Sequence, residues 1–335
     1  MITPQEGLSY ADAGVDIGAY NRVFDRLKAL VDQTHGPAVS KGIGGFAGLY
    51  ELLGGTGHLA ASADGVGTKI KIATAAHRHR GIGVDLVNHC VNDIATMGAR
   101  PLFLLDYFAC GHLDESVLLD VVAGMSDACL AAGCALLGGE TAEMPGVYAL
   151  GDYDLAGFIV GLVDRGRLPN PARIKAGDVL LAFPSSGLHT NGFSLVRRVF
   201  EDVDLEHVYP QLGRPLWQEL LEPHRSYANE LRHLWPQWKV AAHITGGGLI
   251  GNVPRVLPEG LAARFDLTAW QVPPVFRLIQ HLGRVDSEEM FGTFNMGLGM
   301  VVVAARDDAA RLTGTELIAV GEVVEQRSSA RVVLD

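Results

Sequence analysis

Apolar segments of two lengths alternate along the chain, and the alternation recurs on both sides of one break. Short runs such as PLFLLDYFA (101–109) have the length of a strand, whereas ESVLLDVVAGMSDACLAAG (115–133) repeats its apolar residues at helical spacing. Strands that alternate with helices predict layered α/β or α+β domains. The break at 165–178 concentrates proline, glycine and charge, so we predict one domain over 1–167 and a second over 168–335.

Charge and hydropathy exclude several classes of protein. The net charge of −11 disfavours binding to DNA or RNA through overall repulsion. No run approaches the ~18 apolar residues of a membrane span, and the first residues do not resemble a secretory signal. Four cysteines without a C-x-x-C pair are typical of a reducing compartment. We therefore expect a cytoplasmic protein that binds neither nucleic acid nor membrane.

Glycine is enriched in short clusters. The chain has 41 glycines among 335 residues, which is about 12% against a typical ~7%. The clusters lie between apolar segments, for example at 42–48, 65–67 and 246–251. Glycine at such positions allows tight turns and close approach of the backbone to a ligand, so the clusters indicate binding loops.

The loop SADGVGTK (62–69) carries the residue types of a phosphate site. Gly65 and Gly67 permit close backbone approach, Thr68 offers a hydroxyl and Lys69 offers a positive charge. Asp64 fits the same site if Mg²⁺ bridges its carboxylate to phosphate oxygens. The spacing matches neither a Walker A loop nor G-x-G-x-x-G, and a turn with a surface ion pair is an equal alternative.

The helix predicted over 83–98 has an unusual polar face. One arc is apolar, and the opposite arc lacks Lys, Arg and Glu, the residues typical of a solvated helix face. That arc consists of Asp85, Asn88, His89, Asn92, Asp93 and Thr96. We predict that it faces a polar site, with Asp85 and Asp93 as candidate metal ligands and Asn88 and Asn92 as candidate ligand-binding amides. His89 is equally explained as a structural histidine.

The segment LLGGETAEMPG (136–146) ends an apolar run with acids. We predict a buried strand over 134–139, followed by Glu140, Thr141 and Glu143. An acid at a strand end is a usual position for ligand chemistry in α/β layers. A helix N-cap would also use Thr141 and Glu143, and this alternative stays open.

The second half contains two more segments of this kind. SSGLHTNG leaves a predicted strand with Ser185, His189 and Asn191. HITGGGLIGN (243–252) places the glycines 246–248 at a helix start, where backbone N–H groups and the helix dipole bind phosphate. The chain therefore offers one anion site in each half, which fits a nucleotide together with a phosphorylated substrate.

Together these segments resemble the phosphoribosylformylglycinamidine cyclo-ligase family, also called AIR synthetase. The resemblance is carried by DGVGTK, GVDLVNHCVNDI, SSGLHTNG and TGGGLIGNVPRVLP, which occur in the family's order. SYADAGVDI (9–17) and GGETAEMPG (138–146) are specific to this family. One departure is GLHTNG (187–192), where relatives often have proline before the histidine and serine after it. Both differences are neutral for the chemistry.

The resemblance implies an N-terminal domain for ATP binding and dimerisation, whose sheet pairs with that of a second subunit to form a barrel. It also implies a C-terminal α/β domain. The expected ligands are ATP, Mg²⁺ and formylglycinamidine ribonucleotide, bound by a homodimer. The implied reaction closes the ring of 5-aminoimidazole ribonucleotide in de novo purine synthesis, through an iminophosphate.

Roles follow from the resemblance together with the residues. We assign the metal to Asp64, Asp93 and Glu140. We assign the nucleotide to Asp64, Gly65, Gly67, Thr68, Lys69, Asn92, Glu140 and Thr141. We assign the substrate to Ser185, His189, Asn191, Gly246, Gly247 and Gly248. The candidate catalytic residues are His189, Lys69 and Asp93.

Two alternatives belong to other functional classes. Another member of the superfamily, such as thiamine-phosphate kinase, would share the acidic phosphate sites but should lack GGETAEMPG. A non-catalytic nucleotide-binding assembly protein would bind ATP without turnover.

Overall fold

The chain forms two six-stranded sheets, each accompanied by helices. The computed structural model describes residues 7–15, 17–52, 54–312 and 316–335, so Asp16 of SYADAGVDI lies outside the described residues. The strands of one sheet all come from 39–164, and those of the other come from 179–334. This arrangement confirms the layered two-domain α/β architecture, whereas the boundary at 167/168 stays a prediction.

The first sheet has helices packed on one face. Its strands are β1 (Val39–Lys41), β2 (Gly48–Glu51), β3 (Gly57–Gly65), β4 (Arg100–Cys110), β5 (Ala135–Glu143) and β6 (Tyr153–Asp164). The helices of this half are α1 (Ile17–Asp32), α2 (Lys69–Ala76), α3 (Arg80–Ala95) and α4 (Glu115–Ala132). In the order β1-β2-β3-β6-β4-β5, each neighbouring pair is antiparallel except β4–β5, which α4 connects.

The second sheet has the order β12-β9-β11-β7-β10-β8. Its strands are β7 (Val179–Pro184), β8 (Val240–His243), β9 (Leu261–Phe265), β10 (Leu298–Ala304), β11 (Ile318–Glu325) and β12 (Val332–Leu334). The helices of this half are α5 (Phe193–Val199), α6 (Leu216–Leu220), α7 (Ala228–His233), α8 (Gly248–Asn252), α9 (Pro274–Gly283), α10 (Ser287–Thr293) and α11 (Arg306–Leu312). Among the helices that the structure describes, none has the length and apolarity to cross a membrane.

Strand β5 differs from its prediction. The predicted strand at 134–139 exists, but β5 is an edge strand whose residues are mostly exposed, and Leu137 is 62% exposed. The predicted burial is wrong for the single chain because an apolar run is typical of a strand covered on both faces, and one face of this sheet is open. Leu105 of β4 and Phe158 of β6 pair directly and are exposed on that open face.

Helix α3 lies deep in the first half, where it packs against the sheet and beside α4, which also contacts the sheet. Two glycines allow its close crossing with α4. A Cβ on Gly83 would lie 2.0 Å from the Val121 oxygen, and one on Gly124 would lie 1.9 Å from the Arg80 oxygen. The backbones of the two helices are therefore in direct contact, and this contact fixes the position of α3 against α4.

Gly124→Ala should lower the free energy of unfolding by about 1–3 kcal/mol, because the added methyl group must push two backbones apart. Gly292→Ala in α10 is the matched control, since nothing lies within 4 Å of its added carbon. At a helical position with free space around it, replacing glycine by alanine should raise the free energy of unfolding by about 0.5–1 kcal/mol. Denaturant unfolding of both variants measures the difference, and an unchanged midpoint for Gly124→Ala would contradict the close crossing.

Candidate active site

The polar face of α3 lies against the second half of the chain and not against solvent. Asn92 Nδ2 donates to the Arg225 oxygen (2.8 Å), and Asn92 Oδ1 accepts from the Tyr227 N–H (2.7 Å). Asn88 Nδ2 donates to the His224 oxygen (2.6 Å). This face meets polar partners of the chain itself, and the predicted ligand contacts along it stay a prediction. Its two amides hold the backbone of 224–227, an arrangement that does not favour the predicted nucleotide contact of Asn92.

Lys69 begins α2 and is completely buried. Its ammonium lies 2.8 Å from Oδ2 of Asp85, also 0% exposed, and donates to the Glu222 oxygen (2.9 Å). Burial lowers the pKa of Lys69 and raises the pKa of Asp85, so their mutual attraction is what keeps both charged. The ion pair joins α2, α3 and the segment at 222. This position does not favour the predicted phosphoryl contact of Lys69, nor a metal on Asp85.

Asp64 and Asp93 form a carboxyl pair between β3 and α3. Their side chains hydrogen-bond to each other, and burial raises the pKa of each to about 6. Ser62 Oγ donates to Asp93 Oδ2 (3.2 Å). Two acids this close are stable when they share a proton or a cation. The structure thus brings together two of the three residues assigned to the metal.

Glu140 does not join this pair within one chain. Two strands, β6 and β4, lie between β3 and β5, which corresponds to ~14 Å at ~4.8 Å per strand. Glu140 is in register with Gly65 and not with Asp64, so the two acids lie on opposite faces of the sheet. Glu140 and Thr141 are both exposed on the edge strand.

Four buried histidines lie around the carboxyl pair: His89, His189, His224 and His243. His243 Nδ1 lies 2.8 Å from Asp93 Oδ1, and His89 Nε2 lies 3.4 Å from Asp64 Oδ1. Burial lowers the pKa of His89 to about 4 and of His243 to about 3, and it holds the pKa values of the other two well below the usual range. All four rings are therefore neutral at neutral pH.

The loop after β7 also borders the surface along which the two halves of the chain meet, which we call the seam. His189 is fully buried in a left-handed conformation (φ 62°), and its Nε2 accepts from the Ser186 N–H (3.3 Å). Asn191 is half-buried. Ser185 Oγ donates to Asn295 Oδ1 (3.1 Å). The structure therefore brings His189 to the seam, whereas the hydroxyl of Ser185 is used inside its own half.

The glycines 246–248 differ among themselves. Gly246 is exposed, and a Cβ on it would lie 3.3 Å from Asn191 Oδ1. Gly248 is buried, and a Cβ there would lie 2.1 Å from the Phe291 oxygen. Its N–H bonds a carbonyl of the preceding turn, and α8 has only five residues. Gly246 thus remains accessible to a ligand, Gly247 is half-buried with Gly251 3.5 Å from an added Cβ, and Gly248 permits close packing.

The two glycines of DGVGTK are exposed, but only Gly67 faces open space, since a Cβ on Gly65 would lie 3.3 Å from the Leu155 oxygen. Nothing lies within 4 Å of a Cβ on Gly67, whose φ is +68°. Thr68 Oγ1 lies 3.1 Å from Ser194 Oγ of α5. This loop therefore contacts the second half of the chain through Thr68 and follows directly on the partly exposed Asp64.

Sequence reasoning missed two of the histidines. His224 lies in an irregular segment without a motif, so no sequence signal marks it. His243 begins HITGGGLIGN, where only the glycines are singled out. A histidine that ends an apolar strand beside a glycine loop is the signal that could have identified it.

Lys69→Met should lower the free energy of unfolding by about 3–5 kcal/mol, because it leaves a buried carboxylate unpaired. Combining it with Asp85→Asn should recover part of the loss. Lys71→Met is the matched control, because its pair with Asp152 lies at the surface, where such pairs contribute about 0–1 kcal/mol. Chemical denaturation measures all three. An inactive Lys69→Met variant with wild-type stability would instead support the predicted phosphoryl contact.

Solved structures share the fold of this chain. AaThiL complexed with AMPPCP and TMP superposes with a TM-score of 0.68 at 14% identity, covering 96% of this chain and 95% of that one. The hydrogenase maturation protein HypE in complex with ATP superposes with a TM-score of 0.63 at 20% identity, covering 93% and 91%. At these identities the likeness establishes the fold alone.

Relatives identified by sequence are much more similar to this chain than these solved structures are. AIR synthase related protein, N-terminal domain, matches 44–163, and the C-terminal domain of the same description matches 175–333. Phosphoribosylformylglycinamidine cyclo-ligase of Myxococcus xanthus (strain DK1622) is 47% identical, covering 98% of this chain and 99% of the relative. The enzyme of the same name from Desulfitobacterium hafniense (strain DSM 10664 / DCB-2) is 49% identical, covering 94% of each. The chain therefore belongs to the phosphoribosylformylglycinamidine cyclo-ligase family.

Proposed function

We propose that this chain is an ATP-dependent ligase that converts formylglycinamidine ribonucleotide into 5-aminoimidazole ribonucleotide, ADP and phosphate, in de novo purine synthesis. Relatives that cover nearly the whole chain support this reaction. The structural observation that carries the proposal is the carboxyl pair of Asp64 and Asp93 beside the exposed glycines of DGVGTK. Such a site suits phosphoryl transfer, which depends on positioning and on neutralising charge.

The proposed reaction has two steps. The formyl amide oxygen of the substrate attacks the γ-phosphorus of ATP, and ADP leaves. The substrate's own amidine-side nitrogen then attacks the activated carbon, the ring closes, phosphate leaves and the nitrogen loses a proton. Because both reacting groups belong to one bound molecule, holding it in a folded conformation supplies much of the rate. The protein needs no covalent nucleophile.

Mg²⁺ fits the pair of Asp64 and Asp93. Mg²⁺ prefers one or two carboxylates together with phosphate oxygens, and a cation would keep both acids ionised despite their burial. When bound, it would neutralise charge on the transferred phosphoryl group. The side chain of Asp64 is 29% exposed and that of Asp93 is 9% exposed, so a nucleotide would approach from the side of Asp64. Gly65, Gly67 and Thr68 would contact its phosphates.

The second half would hold the formylglycinamidine ribonucleotide. Gly246 is accessible to its ribose phosphate beside the half-buried Gly247, and Asn191 lies against Gly246. We place the reacting amide between Asn191 and His189. Burial lowers the pKa of His189 and keeps its ring neutral, and a neutral imidazole accepts the proton that ring closure releases.

A homodimer is proposed from the open face of the first sheet. Phe158 and Leu105 are 47% and 38% exposed there, and Leu137 on the adjoining edge strand is 62% exposed. Contiguous exposed apolar residues mark interfaces, and a second copy of the same face would cover them symmetrically. Glu140 on this face would also be covered, and a covered carboxylate requires a partner. We therefore assign Glu140 to the nucleotide site of the partner copy, whereas Thr141, the next residue of the strand, lies on the opposite face of the sheet.

One assay separates this proposal from its two alternatives. The pure protein is incubated with ATP, Mg²⁺ and formylglycinamidine ribonucleotide, and aminoimidazole is detected by diazo coupling. Phosphorylation of thiamine phosphate instead would indicate the kinase. ATP binding without ADP formation on either substrate would indicate the assembly protein.

Asp64→Asn should reduce ADP formation at least about 100-fold while the protein stays folded, because the amide cannot hold the cation that neutralises the transferred phosphoryl group. Asp127→Asn is the matched control, since Asp127 pairs with Arg80 at the exposed surface and should keep wild-type activity. A coupled ADP assay measures the activity of each variant, and a thermal melt shows whether it stays folded. Full activity of Asp64→Asn would remove the proposed metal role.

Phe158→Asp should convert the proposed dimer into a monomer, because a charge on the apolar face opposes its burial. Leu282→Asp is the matched control, since Leu282 on α9 is similarly exposed (42%) but lies in the other half. Size-exclusion chromatography with light scattering gives the mass of each variant. A monomeric wild type, or a dimer that survives Phe158→Asp, would contradict the proposed interface.

A further inference from the structure

Three of the buried histidines form a compact cluster, His189, His224 and His243. The proposed reaction uses only His189, and a metal on its ring nitrogen would exclude its role as proton acceptor, so metal binding and turnover compete at this ring. None of the three histidines is more than 1% exposed. Each offers one ring nitrogen within 4.8 Å of a nitrogen on the other two. His224 Nε2 and His243 Nε2 lie 3.0 Å apart, and the rings of His189 and His224 stack with their centroids 3.9 Å apart.

The cluster leaves polar atoms without partners. Nδ1 of His189 and Nδ1 of His224 are buried, and neither has a hydrogen-bond partner among the described residues. Protein interiors rarely leave such nitrogens unpaired, and a bound ion or water is the usual explanation. His189 Nε2 already accepts from the Ser186 N–H, so its unpaired Nδ1 indicates that a further atom belongs in the cluster.

The donor set of the cluster suits a metal. All three ligands are imidazoles in the interior, where burial opposes the charged form of a ring. A neutral imidazole presents a nitrogen lone pair, which is the form that binds metal ions.

Asp93 orients one ring of the cluster. The imidazole N–H at His243 Nδ1 donates to the Asp93 carboxylate (2.8 Å), which leaves the Nε2 lone pair directed at His224. A carboxylate behind a histidine is the usual support for a metal-binding ring, because it fixes the tautomer and raises the basicity of the free nitrogen. The same carboxylate would offset part of the charge of a bound cation.

We infer that His189, His224 and His243 form a binding site for a borderline divalent transition-metal ion, with Zn²⁺ as the representative. Three imidazoles and an open fourth position are a known donor set for Zn²⁺, and nitrogen ligands select Zn²⁺, Co²⁺, Ni²⁺ or Cu²⁺ over Mg²⁺. Bonds of ~2.0–2.1 Å place ligand nitrogens ~3.3 Å apart in a tetrahedron. His224 Nε2 and His243 Nε2 are already near that spacing, and His189 offers a third ring nitrogen within 4.8 Å of a nitrogen on each.

A second group also brings ligand atoms within 4.8 Å, namely His89, Asp93 and His243. It is less suited to the same ion, because Asp93 already engages His243 Nδ1 and also bonds the carboxyl group of Asp64. The three-histidine cluster has no such competing carboxyl pair among its ligands. The experiment must therefore distinguish binding at the three histidines from binding at this second group.

The experiment measures metal binding directly and uses neither ATP nor substrate, so its failure is independent of the proposed function. Full-length protein is treated with a chelator, dialysed and titrated with Zn²⁺ by calorimetry in the presence of millimolar Mg²⁺. We expect one Zn²⁺ per chain with a dissociation constant of about 1 μM or tighter. Co²⁺ in place of Zn²⁺ should give the visible absorption of a four-coordinate site.

His224→Gln should weaken Zn²⁺ binding at least about 100-fold, since it removes a ligand. His281→Gln is the matched control, because His281 is an exposed histidine on α9 and should bind Zn²⁺ as the wild type does. X-ray absorption of the Zn²⁺-loaded wild type counts the imidazole ligands without any variant, and we expect three. The inference is overturned if the wild type binds no Zn²⁺, if Mg²⁺ displaces it, if fewer than three imidazoles are counted, or if His224→Gln binds normally.

Discussion

A polar helix face can be buried only if its groups find partners, and the partners of the α3 face come from three separate parts of the sequence. Asp85 meets Lys69 of α2, Asn92 meets the backbone at 225 and 227, and Asp93 meets the end of β8. Each of these groups would destabilise the fold if left unpaired in the interior. The face therefore fixes α2, β8 and the segment at 224–227 against α3 at the same time. The close crossing of α3 with α4 at Gly83 and Gly124 fixes the position from which α3 reaches these partners.

The same burial shapes the chemistry at the seam. Loss of water raises the pKa values of Asp64 and Asp93 and lowers those of the histidines beside them. Burial thus shifts the acids and the imidazoles of this seam toward their neutral forms. A bound cation would favour the ionised form of the two acids, whereas a neutral imidazole offers a nitrogen lone pair to a metal ion. Oxygen ligands and nitrogen ligands meet at Asp93, so one carboxyl group borders two environments that suit different ions.

Short-range patterns predict much of this molecule. Local sequence patterns identify α3, β4 and α4, because a strand or helix covers its core with residues at fixed spacing. The composition of the α3 face predicts that it avoids solvent, since it lacks the residues that water-facing helices use. Lys69 shows where such reasoning stops. A lysine beside glycines and an acid is typical of a phosphate site, yet here the lysine enters the core to pair with an acid 16 residues away.

The sequence by itself determined the fold class, the family, the positions of the glycine loops and the polar character of α3, because these are properties of neighbouring residues and of their order. The tertiary structure decided which groups meet. It placed Asp64 beside Asp93, turned Glu140 to the opposite face three strands away, and brought His224 from an irregular segment to His243. Such contacts join residues far apart in the chain. They depend on register, on the face of each strand and on the packing of two domains, none of which a local pattern encodes.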